Sequence, residues 1–287
     1  MIDSRKSKVT TVVKNLFMVL VVASSYVILQ TFIMFIIDLF TVRYTNRTES
    51  FINGNYYLFD MIICLVMLPI YGFWYDSVKH KNQINQIGTA VEPKHKPFDN
   101  KGSFANGIVI TTIALGFGGI SALWLDFATT FLKNAPVFGQ SIKSFEETWS
   151  DTGDHFYLWV LLSVAIVGPI IEEYIFRGIA YKYLERISTG YLPAIVSGIA
   201  FGIWHLEPVQ CVYAAIMGIF LGIVYKKTRN LKYTIGIHII NNFTSTLPPF
   251  MDTDAVNNVI VFLSIALIIP TIIFIIKMIK RMNLERS

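Results

Sequence analysis

The chain has 287 residues, of which 54% are hydrophobic and only 15% charged, whereas a soluble globular domain carries about 25% charged residues. That deficit excludes an ordinary soluble domain and points to lipid as the solvent. The net charge of +5 comes from Lys and Arg set between apolar runs, which excludes a nucleic-acid-binding face, and the two cysteines, Cys64 and Cys211, lie inside apolar stretches and exclude a disulfide framework.

A bilayer-crossing helix needs roughly 20 mostly apolar residues. The first apolar run, from about Leu16 to Phe40, is too long for a signal-peptide core and lacks a cleavage pattern, so it reads as a retained span. In all, eight runs qualify, at about 13 to 40, 56 to 78, 104 to 132, 156 to 182, 191 to 206, 209 to 226, 232 to 248 and 256 to 279. They show no period-two alternation, which excludes a β-barrel and predicts an all-α, polytopic transmembrane helical bundle. Basic residues cluster at the N-terminus (Arg5, Lys6, Lys8, Lys14), in the second loop (Lys79 to Lys101), after the sixth run (Lys226, Lys227, Arg229, Lys232) and in the tail (Lys277, Lys280, Arg281). With eight spans these fall on one side, so both termini are expected in the cytoplasm and the chain in the cell membrane as a multi-pass protein. Arg43 and Arg47 dissent mildly. The segment from Lys133 to His155, with Glu146, Glu147, Asp151 and Asp154, reads as a polar loop on the opposite side.

The polar stretch from about Lys79 to Ser103, with Pro93 and Pro97, divides the chain into 1–103, holding two spans and a basic loop, and 104–287, holding six spans. Asp60 and Asp126 are intramembrane or interfacial acids that could line a polar path, but read first as hydrogen-bonded acids near the outer ends of their helices. Trp74, Trp124, Trp149 and Trp159 suit an interfacial belt. The Asn46-Arg47-Thr48 triplet is a glycosylation pattern of little weight.

The fourth run contains Gly168-Pro169-Ile170-Ile171-Glu172-Glu173-Tyr174-Ile175-Phe176-Arg177. Ionisable groups in lipid cost about 2.5 to 3.5 kcal/mol each near the bilayer centre, so function is the default reading. Glu173 and Arg177 are four apart, share a helical face and are expected to pair. Glu172 is rotated about 100° from its neighbour and is free to face a cavity. A glutamate in a low-dielectric pocket can act as a general base near neutral pH. Pro169 lacks an amide proton, which predicts a kink or loosened backbone just before the pair. The fifth run ends in Phe201-Gly202-Ile203-Trp204-His205, and the seventh carries His238 and Asn242 on one face. Gly198 with Gly202, and Gly218 with Gly222, have the small-xxx-small spacing that lets membrane helices approach closely. The bland reading of the Glu172, Glu173 and Arg177 trio is a structural ion cluster; polar groups on three neighbouring spans favour a site.

Three ordered motifs, Glu-Glu-x-x-x-Arg (Glu172, Glu173, Arg177), Phe-x-x-x-His (Phe201, His205) and His-x-x-x-Asn (His238, Asn242), lie within about 156–248. In this the chain resembles the CPBP (CAAX protease and bacteriocin-processing) family of membrane endopeptidases, which includes the type II CAAX prenyl endopeptidases and bacterial Abi proteins. The resemblance implies peptide-bond hydrolysis within the membrane. Glu172 and His205 would activate a water molecule, and His238 and Asn242 would stabilise the oxyanion. The implied partner is a lipidated or membrane-associated peptide or protein, of CAAX, pheromone or bacteriocin type. No cofactor is required on this reading, yet Glu172, His205 and His238 are also a donor set for zinc with an open position, and both readings stand at this point. A non-proteolytic scaffold or immunity protein of the same fold is the alternative. A small proton-coupled transporter would favour two homologous halves, which the sequence lacks.

Depth poses a difficulty. Simple hydropathy puts Glu172 about 24 Å into its span, near the cytoplasmic face with His238, but puts His205 at the outer end of the fifth run. A recessed turn or short, tilted helices would reconcile them.

Overall fold

The computed structural model describes residues 2–42, 55–85, 103–150 and 156–284. The expectations for Arg43, Arg47, the Asn46 triplet, the stretch 86–102 and Asp151 and Asp154 lie outside these. Along the chain run α1 (Ile2–Val42), α2 (Tyr56–Asn85), α3 (Ser103–Phe127, continued by a π-helical turn Ala128–Leu132), α4 (Pro136–Ser150), α5 (Tyr157–Glu185), α6 (Leu192–Trp204), α7 (Pro208–Thr228), α8 (Leu231–Ser245), α9 (Asp254–Ala266) and α10 (Ile268–Leu284). Among the described residues there is no strand. The protein is a multi-pass integral membrane helical bundle whose lipid-facing side chains include Phe17, Leu20, Ile28, Phe32, Phe73 and Phe262, all well exposed.

All eight expected runs are helical, but by length and composition six helical stretches among the described residues suffice to cross a membrane: Val9–Ile37, Tyr56–Lys79, Ala105–Leu132, Tyr157–Glu185, Pro208–Thr228 and Asp254–Lys280. The other two runs form α6, of 13 residues, and α8, of 15. At 1.5 Å per residue these reach about 20 and 23 Å, short of a hydrocarbon core of about 30 Å. The last run is broken at Leu267, because Pro270 cannot bond back to Ala266 and its ring crowds that carbonyl.

The polar segment after Lys133 is a helix and not a loop. In α4, Ser141 and Ile142 are buried while Lys143, Ser144, Glu146 and Glu147 are exposed. Its apolar residues are too few and too widely spaced to signal a span, and they cover the end of the bundle. Glu146 and Glu147 are solvated as expected, with Lys143 3.7 Å from Glu147. Asp126 is likewise exposed near the end of α3.

The central helix is α5, which packs between two apolar clusters. One joins α1, α2 and α5 through Val22, Cys64, Met67, Tyr71, Ile171 and Ile175. The other joins α3, α7, α8 and α10 through Ile113, Phe117, Leu221, Val224 and Ile237. Hydrogen bonds from Trp204 Nε1 to the Ala23 carbonyl (2.9 Å) and from Gln30 Nε2 to Asp60 Oδ1 (3.0 Å) fasten α1 to α6 and α2. Both cysteines are free thiols.

α6 and α7 form a tight antiparallel hairpin, as the glycine spacing predicts. A Cβ on Gly198 would lie 2.3 Å from the Ile219 nitrogen, and one on Gly222 would lie 2.8 Å from the Ala194 Cα. At one end of the bundle, Arg229 pairs with Glu185, Lys226 lies over the Tyr191 ring and the Tyr191 hydroxyl meets the Ile279 carbonyl. The basic segments that follow α7 and end α10 therefore gather at one end, in accord with the charge pattern.

Candidate active site

Pro169 organises the site by what it cannot do. The backbone loosens ahead of it into a π-helical turn, Leu161–Val167, in which the Gly168 N–H reaches the Ser163 carbonyl five residues back. The next carbonyl, that of Val164, would find its partner at residue 169, and proline has no N–H. Asn242 of α8 supplies the missing donor, its Nδ2 lying 3.0 Å from the Val164 oxygen. A defect in one helix thus anchors another. The loosening predicted from Pro169 is present, as a π turn; a second π turn, Tyr174–Ala180, follows the glutamates.

Between the two turns, Glu173 and Glu172 diverge as their spacing implies. Arg177 Nη1 lies 2.7 Å from Glu173 Oε1, and both side chains have no exposed surface. The guanidinium also donates from Nη2 to the Gly218 carbonyl (3.2 Å) and sits 4.5 Å from the Phe201 ring centre. An ion pair this deep is tolerable because a carbonyl and an aromatic face share the cation. Glu172 keeps 17% of its side chain exposed and faces a cavity of about 230 Å³.

His238 sits between the two carboxylates. Its Nδ1 is 3.1 Å from Glu173 Oε1 and its Nε2 is 3.6 Å from Glu172 Oε2. His205 lies on the same cavity, with Nδ1 2.8 Å from the Phe201 carbonyl. A carbonyl only accepts, so Nδ1 carries the proton and a neutral His205 presents a bare Nε2. Phe201 packs edge-on against both imidazoles, with ring centres 4.7 Å from His205 and 5.7 Å from His238.

His205 reaches the cavity of Glu172 and His238 because α6 is short and α4 covers the turn that follows it. α6 ends at Trp204, and the chain turns through Leu206, which has φ of 60°, into α7. This turn is covered. Ser141 Oγ of α4 accepts from the Val209 N–H (2.8 Å), and Trp124 Nε1 of α3 donates to the Val209 carbonyl (2.8 Å). Exposed backbone groups at the turn are thereby satisfied, as non-helical chain within a membrane requires. Trp124 has a structural task beyond an interfacial belt.

The structure brings Glu172, Phe201, His205, His238 and Asn242 onto one cavity; Glu173 and Arg177 lie behind it. Sequence reading missed several other lining residues, Tyr26, Ser163, Gln210, Tyr213 and Asn241, and weighed Asp60 for a polar path only to set it aside. Asp60 and Tyr26 were out of reach because only the packing of α1 and α2 on α5 brings them there. A second cavity of about 540 Å³, toward α4 and Asp252, adjoins the first and shares Tyr213, Asn241, Ser245 and Thr246 with it. As for zinc, among the described residues no group of three or more His, Cys, Asp and Glu side chains is disposed to hold a metal ion. His205 and His238 each have Nδ1 tied, to the Phe201 carbonyl and to Glu173, which leaves their Nε2 atoms for the cavity, an orientation that suits proton transfer or metal ligation.

In a helical membrane bundle, a carboxylate and two imidazoles thus share one cavity, groups of the type that acid–base chemistry uses. Residues 154–244 match the family model described as type II CAAX prenyl endopeptidase Rce1-like. The chain is also similar to the "Putative membrane peptidase YdiL" of Bacillus subtilis, with 30% identity over 101 residues, 35% of this chain and 40% of that protein. The chain thus spans less than half the length of the curated relative it matches. No solved structure matches it.

Proposed function

We propose that this protein is an intramembrane endopeptidase that hydrolyses a peptide bond of a membrane-associated peptide or protein with a side-chain-activated water. The reading rests on one observation above all: Glu172 Oε2 lies 3.6 Å from His238 Nε2 on a cavity that His205 also lines, while the adjacent Glu173 is committed to Arg177. In the scheme, water bound between Glu172 and the Nε2 of His205 gives a proton to Glu172, and its oxygen attacks the scissile carbonyl carbon. The resulting oxyanion takes hydrogen bonds from His238 Nε2–H, which requires a doubly protonated ring because Nδ1–H is already given to Glu173, and from the second N–H of Asn242. Collapse breaks the C–N bond as Glu172 passes its proton to the leaving nitrogen. Glu173 and Arg177 position His238, and Phe201 separates the imidazoles.

The test is cleavage of quenched-fluorescent lipidated and unlipidated peptides by the purified full-length protein in detergent. Glu172→Gln and His205→Ala are expected to lower kcat at least a hundredfold with unfolding temperatures unchanged. Turnover that survives both substitutions sinks the scheme. Preincubation with a chelator is expected to leave the rate intact; loss restored by zinc would replace side-chain activation with a zinc mechanism. A wild-type chain that cleaves nothing while retaining a membrane partner would favour the scaffold alternative.

A further inference from the structure

The cavity's charge is one-sided. Apart from the histidines, its ionisable carboxylates are Glu172 and Asp60, and neither lysine nor arginine lines it. The adjoining cavity adds Asp252 and again no basic side chain. Arg177, the nearest cation, is wholly buried and already shared by Glu173, the Gly218 carbonyl and the Phe201 ring. A substrate that presented a free terminal carboxylate beside the scissile bond would therefore meet two carboxylates and no counter-charge. A cationic group would meet the reverse.

Asp60 is placed to receive that cation. It stands on α2, outside the residues that match the Rce1-like family, and Oδ1 accepts from Gln30 Nε2 of α1 at 3.0 Å. That bond fixes the carboxylate's direction and leaves Oδ2 without a hydrogen-bond partner among the described residues. Two further groups await a ligand on the same cavity. Ser163 Oγ and Asn241 Oδ1 are buried without partners, in side chains only 1% and 8% exposed. Buried polar atoms are normally satisfied, so unpartnered ones on a cavity wall mark where water or the polar backbone of a bound peptide belongs.

We infer that Asp60 is a specificity-determining residue that holds an ammonium or guanidinium group of the substrate beside the scissile bond, so that the protein selects basic peptides cut at an internal bond. The inference rests on the protease reading above. It makes α1 and α2 part of the substrate site: Gln30 aims the carboxylate, α2 carries it, and α5, α6 and α8 carry the chemistry. Like charge at the same position is rejected by repulsion from Asp60 and Glu172, which in a water-poor cavity is weakly screened.

The experiment uses the full-length protein in detergent and N-acetylated, amidated apolar peptides along which a single Lys, Gln or Glu is walked. A parallel set keeps the free α-amino group and has no Lys, to distinguish a side-chain ammonium from a terminal one. At one position kcat/KM is expected to be at least tenfold higher for Lys than for Glu. Asp60→Asn, which retains an acceptor for Gln30, should bring that ratio to within about twofold, chiefly by raising KM for the Lys peptide. Gln30→Leu, which removes the inter-helix bond but keeps the carboxylate, should preserve the sign of the preference. A Lys-to-Glu ratio that Asp60→Asn leaves intact overturns the assignment while the protease reading survives. Failure to cleave any peptide overturns both.

Discussion

His238 Nδ1 lies 3.1 Å from the same Glu173 oxygen that Arg177 grips at 2.7 Å. Because a carboxylate engaged by a guanidinium is ionised and can only accept, His238 must carry its proton on Nδ1, and its Nε2 is the atom turned to Glu172. Arg177 therefore holds a proton on Nδ1 of a histidine it does not touch.

The two glutamates should consequently fail in different ways. Glu173→Gln leaves Arg177 as an uncompensated buried cation and is expected to lower stability by about 3 to 5 kcal/mol. Glu172→Gln removes a carboxylate that faces the cavity and is not part of the buried ion pair, and should leave the unfolding temperature in detergent near that of wild type. Thermal unfolding followed beside peptide turnover separates them; equal destabilisation by both would refute the division of labour.

Asn242 and Pro169 should be thermodynamically coupled. Asn242→Ala strips the Val164 carbonyl of its donor, at a cost of about 1 to 3 kcal/mol. Pro169→Ala restores a backbone N–H five residues beyond Val164, so the Asn242→Ala loss is expected to shrink in that background. A double-mutant cycle of unfolding free energies measures the difference. Strict additivity would show that the two residues do not share this carbonyl.

Gly198→Ala is expected to be costly. The added methyl would sit 2.3 Å from the Ile219 nitrogen, forcing α6 from α7 at about 1 to 3 kcal/mol and displacing His205. Gly107→Ala in α3 meets nothing within 4 Å, and should be neutral or gain about 0.5 to 1 kcal/mol from helix propensity. Unfolding temperatures of the two variants, with turnover, test the contrast.

Ser141→Ala deprives the Val209 N–H of its acceptor and should lower stability by about 1 to 3 kcal/mol. Trp124→Phe keeps the packing but loses the bond to the Val209 carbonyl, for a smaller loss of about 1 kcal/mol. Both should slow peptide turnover by loosening the chain next to His205. Faster hydrogen exchange at 205–209 is the accompanying signature, and unchanged exchange would argue that α4 does not hold the turn.

Much of this site was legible in the sequence because its determinants are local. Four-residue spacing paired Glu173 with Arg177 and separated Glu172 from it, and the glycine steps on α6 and α7 foretold their close contact. Pro169 announced a loosened backbone, although not that Asn242 would repair it. The rest depends on distance along the chain. α4 buries only a few side chains in a polar stretch, and its role is visible only once Val209 lies beneath Ser141. Hydropathy windows treat each apolar run as a full crossing, whereas α6 and α8 are helices of 13 and 15 residues, and it is their packing that brings His205 to Glu172. Asp60 looked like an ordinary interfacial acid until α2 was laid against α5.

A π turn is equivalent to an α-helix with one residue inserted. Deleting a single residue between Leu161 and Val167 would let the turn relax to α geometry, rotating Tyr157 and its bond to the Thr246 carbonyl by about 100° relative to Glu172. Composition, hydropathy and all three motifs would survive that deletion unchanged. A homologue one residue shorter there would thus carry every signature of this site with its first helix docked out of phase, and sequences grouped by motif alone need their spacing from Tyr157 to Pro169 compared before an activity is transferred among them.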